Sequence, residues 1–407
     1  MIPILLALAL SGPALANGQV SHLWISQTAI ELLPPGELRD LMSDPAHEDM
    51  WRNGSMFPDG GYAVGDGYGE TAHWEPFHNA YTAWIRAEYG GPPYSGEAAE
   101  HVAFLMGMTS HGMADQVYDS LYMERAHQED ADQDWGESMD EATDVAMASM
   151  VGPVDHGELW VPDELMAQLM AQDMGHEVSA STIRTGQAMV RLVPVWAANV
   201  IEQPEYVDAY FAQFPWACAH QIDPQVWGNP PDEAEVVARY WQEIWGRLSG
   251  VELAVGPVLA TFPADGTQGW ETDAEKVTSR VTTIAAWSLQ HELVPDLPLT
   301  IQADDGSEPP LDRWVFYSHV LHAAPQQDWA DTTDYTVSVP ADLPSKGGLI
   351  AAPASTEPLS YSFTTGPIPQ ILDPEPEAGC SSQPRRALGA WLWLLVLGAS
   401  ARRQRSG

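Results

Sequence analysis

The chain has 407 residues, 45% of them hydrophobic and 17 of them tryptophan, which excludes a largely disordered polypeptide and exceeds one ordinary compact domain. Its 17 Lys+Arg against 57 Asp+Glu give a formal net charge of −40, which disfavours general nucleic-acid binding and recruitment to anionic lipid through a basic patch. Two distant cysteines, Cys218 and Cys380, supply neither a disulfide framework nor a thiolate zinc cage, so any metal has to sit on His, Asp and Glu.

An apolar run from Ile2 to Leu10 leads to Ala14-Leu15-Ala16, the pattern of a secretory signal peptide over residues 1–16. The run is too short to span a bilayer, and a cut after Ala16 makes Asn17 the expected mature N-terminus. Residues 17–250 read as all-helical. HVAFLMGMTSHGMADQVYDSLYM, PDELMAQLMAQDM and DEAEVVARYWQEIWGRLSG carry apolar residues at helical spacing. Asp232 is the expected N-cap of the last of these helices and Gly250 its expected stop.

Residues 257–367 have a different texture. RVTTIAAWSL, LPLTIQAD, RWVFYSHV, DYTVSVP and LSYSFTTG are short β-branched or aromatic runs between Pro, Gly and Asp, as in a small all-β sandwich. TFPADGT, DYTVSVPADLPSKGG and YSFTTG resemble bacterial Ig-like domains, which implies a spacer or binding accessory. His319 and His322 face opposite ways if extended and read as structural. A Pro/Glu linker with Cys380 covers 368–386, and a hydrophobic segment ending in Arg402, Arg403 and Arg405 covers 387–407. A Cys, a short hydrophobic run and an Arg cluster in that order resemble myxobacterial-type C-terminal sorting tails. The resemblance implies a sorting protease as partner and surface attachment; the alternative is a weak membrane anchor. Under either reading the body of the protein is exported to the cell surface or beyond.

The strongest chemical signal is His111-Gly-Met-Ala-Asp115. On a helix these two residues lie one turn apart on one face, with Asp119 a turn further, an arrangement that suits a divalent ion. The approach HVAFLMGMTS is almost wholly apolar, so the helix is expected to be buried and its polar groups to need a partner. His22, Asp59 in SMFPDGGY and His73 in TAHWEPFHNAYTAWI are further candidates.

Four stretches, SHLWISQTAIELL, MFPDGGY, HWEPFHNAYTAWIRAEY and AFLMGMTSHGMADQVYDSL, together resemble the zinc-dependent phospholipase C superfamily, which includes single-strand nucleases. The nearest likeness is to the catalytic domain of the glycosylphosphatidylinositol-specific phospholipases D. The resemblance covers roughly residues 17–150. It implies an all-α catalytic domain holding up to three divalent ions, usually Zn²⁺, in which metal-bound hydroxide attacks a phosphodiester. Carried over, Asp59, His73, His111 and Asp115 hold one ion, with Asp59, His111 and Asp115 central to catalysis. Asp115 bridges to a second ion completed by His22 and by the amine and carbonyl of Asn17. At the third site Asp119, Asp140 and Asp144 stand where the family has two His and an acid. Carboxylates without imidazole favour Ca²⁺, Mg²⁺ or Mn²⁺ there, unless His127 supplies a nitrogen.

The implied function is a secreted or surface-attached phosphodiesterase acting on phospholipid. The alternatives are a catalytically weakened, metal-binding surface or adhesion protein, or a nuclease, against which the acidity argues. Asp130-Ala-Asp132-Gln-Asp134 with Glu141 also alternates like a calcium loop, although Trp135 stands where that loop needs Gly; a solvated acidic loop is the competing reading. His47, His101, His156, His176, His220 and His291 have no ligand-like neighbours at helical spacing, His78 reads either as support behind the ligands or as pocket wall, and Cys218 as a buried thiol.

Overall fold

The computed structural model describes residues 17–131, 139–251, 256–346 and 358–366. The expected signal peptide, the linker with Cys380 and the sorting tail lie outside the described residues. Within them the chain is a helical region followed by a β region.

The helices are α1 Gln19–Leu32, α2 Glu37–Met42, α3 Glu48–Met56, α4 Asp59–Ala63, α5 Tyr68–Ala72, α6 Glu75–Tyr89 and α7 Glu97–Val117. A π-helical stretch, Tyr118–Met123, continues α7 into α8 Glu124–Glu129. Then follow α9 Met139–Val151, α10 Asp163–Leu169, α11 Ala180–Val190, α12 Leu192–Val200, α13 Pro204–Gln213, α14 Pro215–Ala219 and α15 Pro230–Ser249.

Helix α7 is the hub. Glu97 and Glu100 in its first turn complement the positive end of the helix dipole, and nearly every residue from Ala98 to Val117 is buried. It crosses α3 at very short range because both helices carry glycine at the crossing. A Cβ on Gly107 would fall 2.1 Å from the Trp51 carbonyl oxygen, and one on Gly54 would fall 2.2 Å from that of Phe104. Ser26 of α1 joins the crossing through Ser55 at 2.7 Å and Ser110 at 2.8 Å, so the polar groups exposed by small residues are satisfied among themselves.

Helix α15 ends on Gly250 in the left-handed region (φ 76°), the stop read from the sequence. Its start differs. Asn229 is the N-cap, and Asp232 sits in the first turn, accepting from the Gly228 N–H at 2.9 Å. Prolines at 230 and 231 explain the shift, since Pro is tolerated in the first turn and leaves the preceding Asn to cap.

Eight strands make two four-stranded sheets: β1 Val258–Phe262, β2 Thr267–Trp270, β3 Val281–Ala285, β4 Thr300–Ala303, β5 Leu311–Phe316, β6 Val320–Pro325, β7 Asp334–Val339 and β8 Leu359–Thr365. One sheet has the order β1-β3-β6-β5 and the other β2-β8-β7-β4. Strand β7 alternates exposed and buried as a half-covered strand should, whereas β3, between two neighbours, is buried throughout.

The two regions form one compact unit with a continuous apolar core. Polar contacts also cross between them. Arg247 of α15 pairs with Glu75 of α6 at 2.6 Å and donates to the Ala286 carbonyl at 2.7 Å, while Glu75 accepts from the Ser288 N–H at 2.6 Å. Glu75 is therefore the anchor of this contact, and its carboxyl, pushed up by burial but held by Arg247, lies at about 2.

Candidate metal centre

Three chain segments and α7 converge on one point. Asp59 opens the short helix α4, His73 sits at the junction of α5 and α6, His22 comes from α1, and His111 and Asp115 come from α7. Gly112 allows the junction to lie against α7, because a Cβ there would be 2.0 Å from the His73 carbonyl oxygen. Ligand-capable atoms of His22, His111 and Asp115 lie within 4.8 Å of one another, as do those of Asp59, His73 and His111.

Ring orientation is fixed from behind. His111 Nδ1 is 2.7 Å from the Ser55 carbonyl oxygen, and His73 Nδ1 is 2.6 Å from that of Gly69. A carbonyl only accepts, so both Nδ1 atoms carry a proton, and it is Nε2 of each ring that faces forward, with a lone pair for a cation once that atom is unprotonated. Those two Nε2 atoms face each other at 3.0 Å. Each also lies 3.5 Å from Asp59 Oδ1, and they lie 3.4 and 3.3 Å from Asp115 Oδ2. Both Nε2 atoms are thus flanked by a carboxylate oxygen of Asp59 and one of Asp115. His22 stacks on His111 at 3.7 Å between ring centroids and brings its Nε2 to 3.1 Å from Asp115 Oδ1. Neither His22 nitrogen nor either Asp115 oxygen has a hydrogen-bond partner, a costly arrangement for buried groups unless a cation satisfies them.

Electrostatics divide the site. Burial pushes Asp59 and Asp115 up, but positive charge on the imidazoles beside them, His111 and His73 for the first and His111 and His22 for the second, holds these carboxyls below the usual range, a role that a bound cation would take over with the rings neutral. Burial pushes Asp119 well above its ordinary value, and the charge of Asp115 adds to the effect. Burial likewise raises Glu233, and raises Asp144 to about 7.

The three carboxylates expected at the third ion are arranged differently from that expectation. Asp119 falls within the π-helical stretch, whose wider turn takes it off the regular helical register of His111 and Asp115. Asp144 spends one oxygen capping α1, accepting from Val20 N–H at 2.7 Å and Ser21 N–H at 3.1 Å. Asp140 is half-buried on α9 and adds to the negative field on Asp119. Among the described residues none of the three joins a group of three converging His, Cys, Asp or Glu ligand atoms. His127 is exposed on α8.

Asn17 is buried, and its side-chain amide donates to Glu233 of α15. Glu233 carries no local signal: it is one of two acids in the first turn of α15, and only the tertiary fold brings it within the field of Asp115 and Asp119. Gln19, which donates to Asp59, carried no signal either. Asp130 is the described acid of the calcium-loop pattern's first half. It accepts from the Trp216 and Ala217 N–H groups, both at 3.0 Å, and so caps α14; residues 132–138 lie outside the described residues. His78 packs behind the site with Nε2 2.9 Å from the Ala72 carbonyl oxygen, and burial pushes it down to about 3. Cys218 is buried, and burial raises its thiol to about 12, which removes it as a nucleophile.

No protein-family model matches the sequence. Part of the chain is similar to the phosphatidylinositol-glycan-specific phospholipases D. The Bos taurus protein is 34% identical over 116 residues, covering 26% of this chain and 14% of that one. The Rattus norvegicus protein is 32% identical over 132 residues (30% and 15%), and the Homo sapiens protein 35% over 118 (26% and 14%). The chain therefore matches only a small part of these relatives' length, and a partial relationship to them is what the similarity supports. Among solved structures, the N-terminal part of the bacterial S-layer protein SbsC aligns over 71% of this chain and 68% of that one. Its 10% identity and TM-score of 0.21 carry no argument. No helix among the described residues is long and apolar enough to cross a membrane.

Proposed function

We propose that the chain is an exported, metal-dependent phosphodiesterase acting on phospholipid or glycosylated-phosphoinositide-like substrates. The observation that carries this reading is the pair His73 Nε2 and His111 Nε2, 3.0 Å apart, each 3.3 to 3.5 Å from Asp59 Oδ1 and from Asp115 Oδ2. A tetrahedral ion with bonds of about 2.0–2.1 Å needs ligand–ligand edges of about 3.3–3.4 Å, and these five separations lie near that value, so the donor set suits Zn²⁺. His22 and the free oxygen of Asp115 fit a neighbouring ion, with Asn17 alongside. Asp119, Asp140, the second oxygen of Asp144 and Glu233 offer only oxygen, which suits Ca²⁺, Mg²⁺ or Mn²⁺ better than Zn²⁺, although no three of them converge as they stand.

Ions so held would supply Lewis-acid stabilisation of charge on phosphoryl oxygens and a water acidic enough to act near neutral pH. The chain's own part is positioning. The Ser55 and Gly69 carbonyls lock both imidazoles, and burial of Asp115 excludes competing water. Asp59 is the least buried of the four and remains ionised, so it lies on the solvent side, where it can orient an attacking water by accepting its hydrogen bond. At that mouth Tyr62 packs on His73 at 5.2 Å, and Tyr62 and Trp74 both donate to Glu70. The phospholipase-related partial similarity favours a lipid phosphodiester over nucleic acid, as does the charge of −40. We read the β region as Ig-like, the leader as cleaved before Asn17, and the C-terminal segment as a surface-sorting tail.

A second reading keeps the ions but not the turnover. It is favoured by one observation, the capping duty of Asp144, which leaves the third site a ligand short. Metal analysis of the purified chain, with hydrolysis of a chromogenic phosphodiester and a phospholipid panel, separates the two. The enzyme reading expects bound divalent ions and turnover abolished by His111→Ala. Ions without turnover under any divalent metal would leave the binding protein.

A further inference from the structure

The tip of the β5–β6 hairpin is Tyr317-Ser318-His319, between Phe316 and Val320, which pair across the strands. Tyr317 has φ of 51°, a left-handed conformation that is a genuine outlier for a bulky side chain and the ordinary place for Gly. The strain has a visible cause. Ser318 N–H, Ser318 Oγ and His319 N–H all donate to one acceptor, Gln116 Oε1, at 3.2, 2.9 and 2.9 Å. Gln116 is the neighbour of Asp115 on α7. This clamp ties the hairpin tip to the helix that carries the candidate ligands.

With the tip so held, Tyr317 reaches Asp119, one turn beyond Asp115. Its hydroxyl donates to Asp119 Oδ2 at 2.9 Å, leaving the buried Oδ1 with no hydrogen-bond partner. Its ring packs on Trp74 at 5.2 Å, beside His73. Asp119 has left the helical register of Asp115, so nothing in α7 itself fixes its direction; Tyr317 does. Sequence positions 202 residues apart are joined at the clamp and 198 apart at the hydroxyl.

We infer that the β region is a structural part of the candidate site, with Tyr317 a positioning residue that orients Asp119 toward an ion and, with Trp74, walls the mouth. This rests on the metal reading above and goes beyond it, since a spacer or binding accessory needs no side chain in the centre. Loss of a hydrogen bond that orients a ligand typically weakens metal binding by about 10–100-fold.

The test uses the full chain, stripped of metal and titrated calorimetrically with Zn²⁺ and with Mn²⁺, as wild type, Tyr317→Phe and Gln116→Leu. Phe keeps the ring and removes only the hydroxyl. The expected result is an unchanged melting temperature, unchanged binding at the histidine ligands, and one ion weakened by about 10–100-fold. Phosphodiester turnover is then expected to fall in kcat with KM held, because the wall is intact. Gln116→Leu is expected to weaken the same ion by releasing the hairpin, and it decides the matter if the Phe variant melts early. Wild type and both variants binding every ion alike would overturn the role of Tyr317 while leaving the phosphodiesterase reading intact. A wild-type chain that binds no divalent ion would overturn both.

Discussion

Histidine is buried in both regions of the molecule and handled in opposite ways. In the helical region His22, His73 and His111 face Asp59 and Asp115, and no Lys or Arg pairs with these two carboxylates among the described residues. In the β region His319 and His322 are equally buried, but each meets an ordinary polar partner. His322 Nδ1 lies 2.8 Å from Thr282 Oγ1, and His319 Nδ1 lies 3.0 Å from the Ala285 carbonyl oxygen. The carboxylate that His319 approaches among the described residues, Glu75, already has Arg247. Burial of a histidine is therefore not what marks a site. The mark is several lone-pair atoms converging with no proton donor or side-chain cation to answer them.

The largest expected effect breaks that contrast from the helical side. Asp115→Asn removes the carboxylate shared by all three histidines, and turnover of a phosphodiester is expected to fall by about 10³-fold or more with loss of bound metal. His322→Asn is expected to leave both unchanged. Equal losses in the two variants, measured by steady-state kinetics and metal analysis, would erase the distinction.

The two regions share a core, so the next effect tests whether they are also one cooperative body. Arg247→Leu strands the buried Glu75 and is expected to cost about 3–5 kcal/mol. Urea unfolding followed by probes in each region should show one transition moved to lower denaturant. A β-region transition that stays in place would mean that Glu75–Arg247 does not couple them.

How much of this was legible in the chain follows from sequence separation. His111 and Asp115 lie within one helical turn, so periodicity alone put them on a common face. Gly250 as a helix stop and the β-branched runs after 257 are also local signals. Asp59, His73 and His22 needed family likeness, because nothing local draws three segments to one point. Tyr317, Gln116, Glu233 and Gln19 were silent, since each acts across a long chain separation and looks ordinary in its own element. Asp144 was legible as an acid near the site, but its capping of α1 depends on where a helix 124 residues earlier begins.

The neutral state of His322 gives the contrast a pH signature. Burial, with Arg280 adding repulsion, pushes His322 down to about 3, against 6.5 when exposed. Between these values the unfolded chain binds the proton and the folded chain does not. The stability that neutrality contributes is thus full above pH 6.5 and is lost as pH falls toward 3. The loss attributable to His322 is expected to be on the order of 2–3 kcal/mol between pH 6.5 and 4.5. Urea unfolding of wild type and His322→Asn at both pH values isolates it, because other titrating groups cancel; parallel pH dependences would sink the assignment.

The smallest effect probes what replaces a metal in the β region. Thr282→Val removes the hydroxyl facing His322 Nδ1 while nearly preserving shape. His322 Nε2 already lacks a hydrogen-bond partner, so the variant leaves a buried ring with neither nitrogen satisfied. The expected cost is about 1–2 kcal/mol. Pairing it with His322→Phe should recover part of that cost, because an apolar pair leaves no orphaned polar atom. A double-mutant cycle with no coupling would show that His322 is held by packing on Trp314 and Phe316 rather than by the hydroxyl. Turnover is expected to be unaffected in all three variants, since His322 has no part in orienting the hairpin tip that touches Asp119.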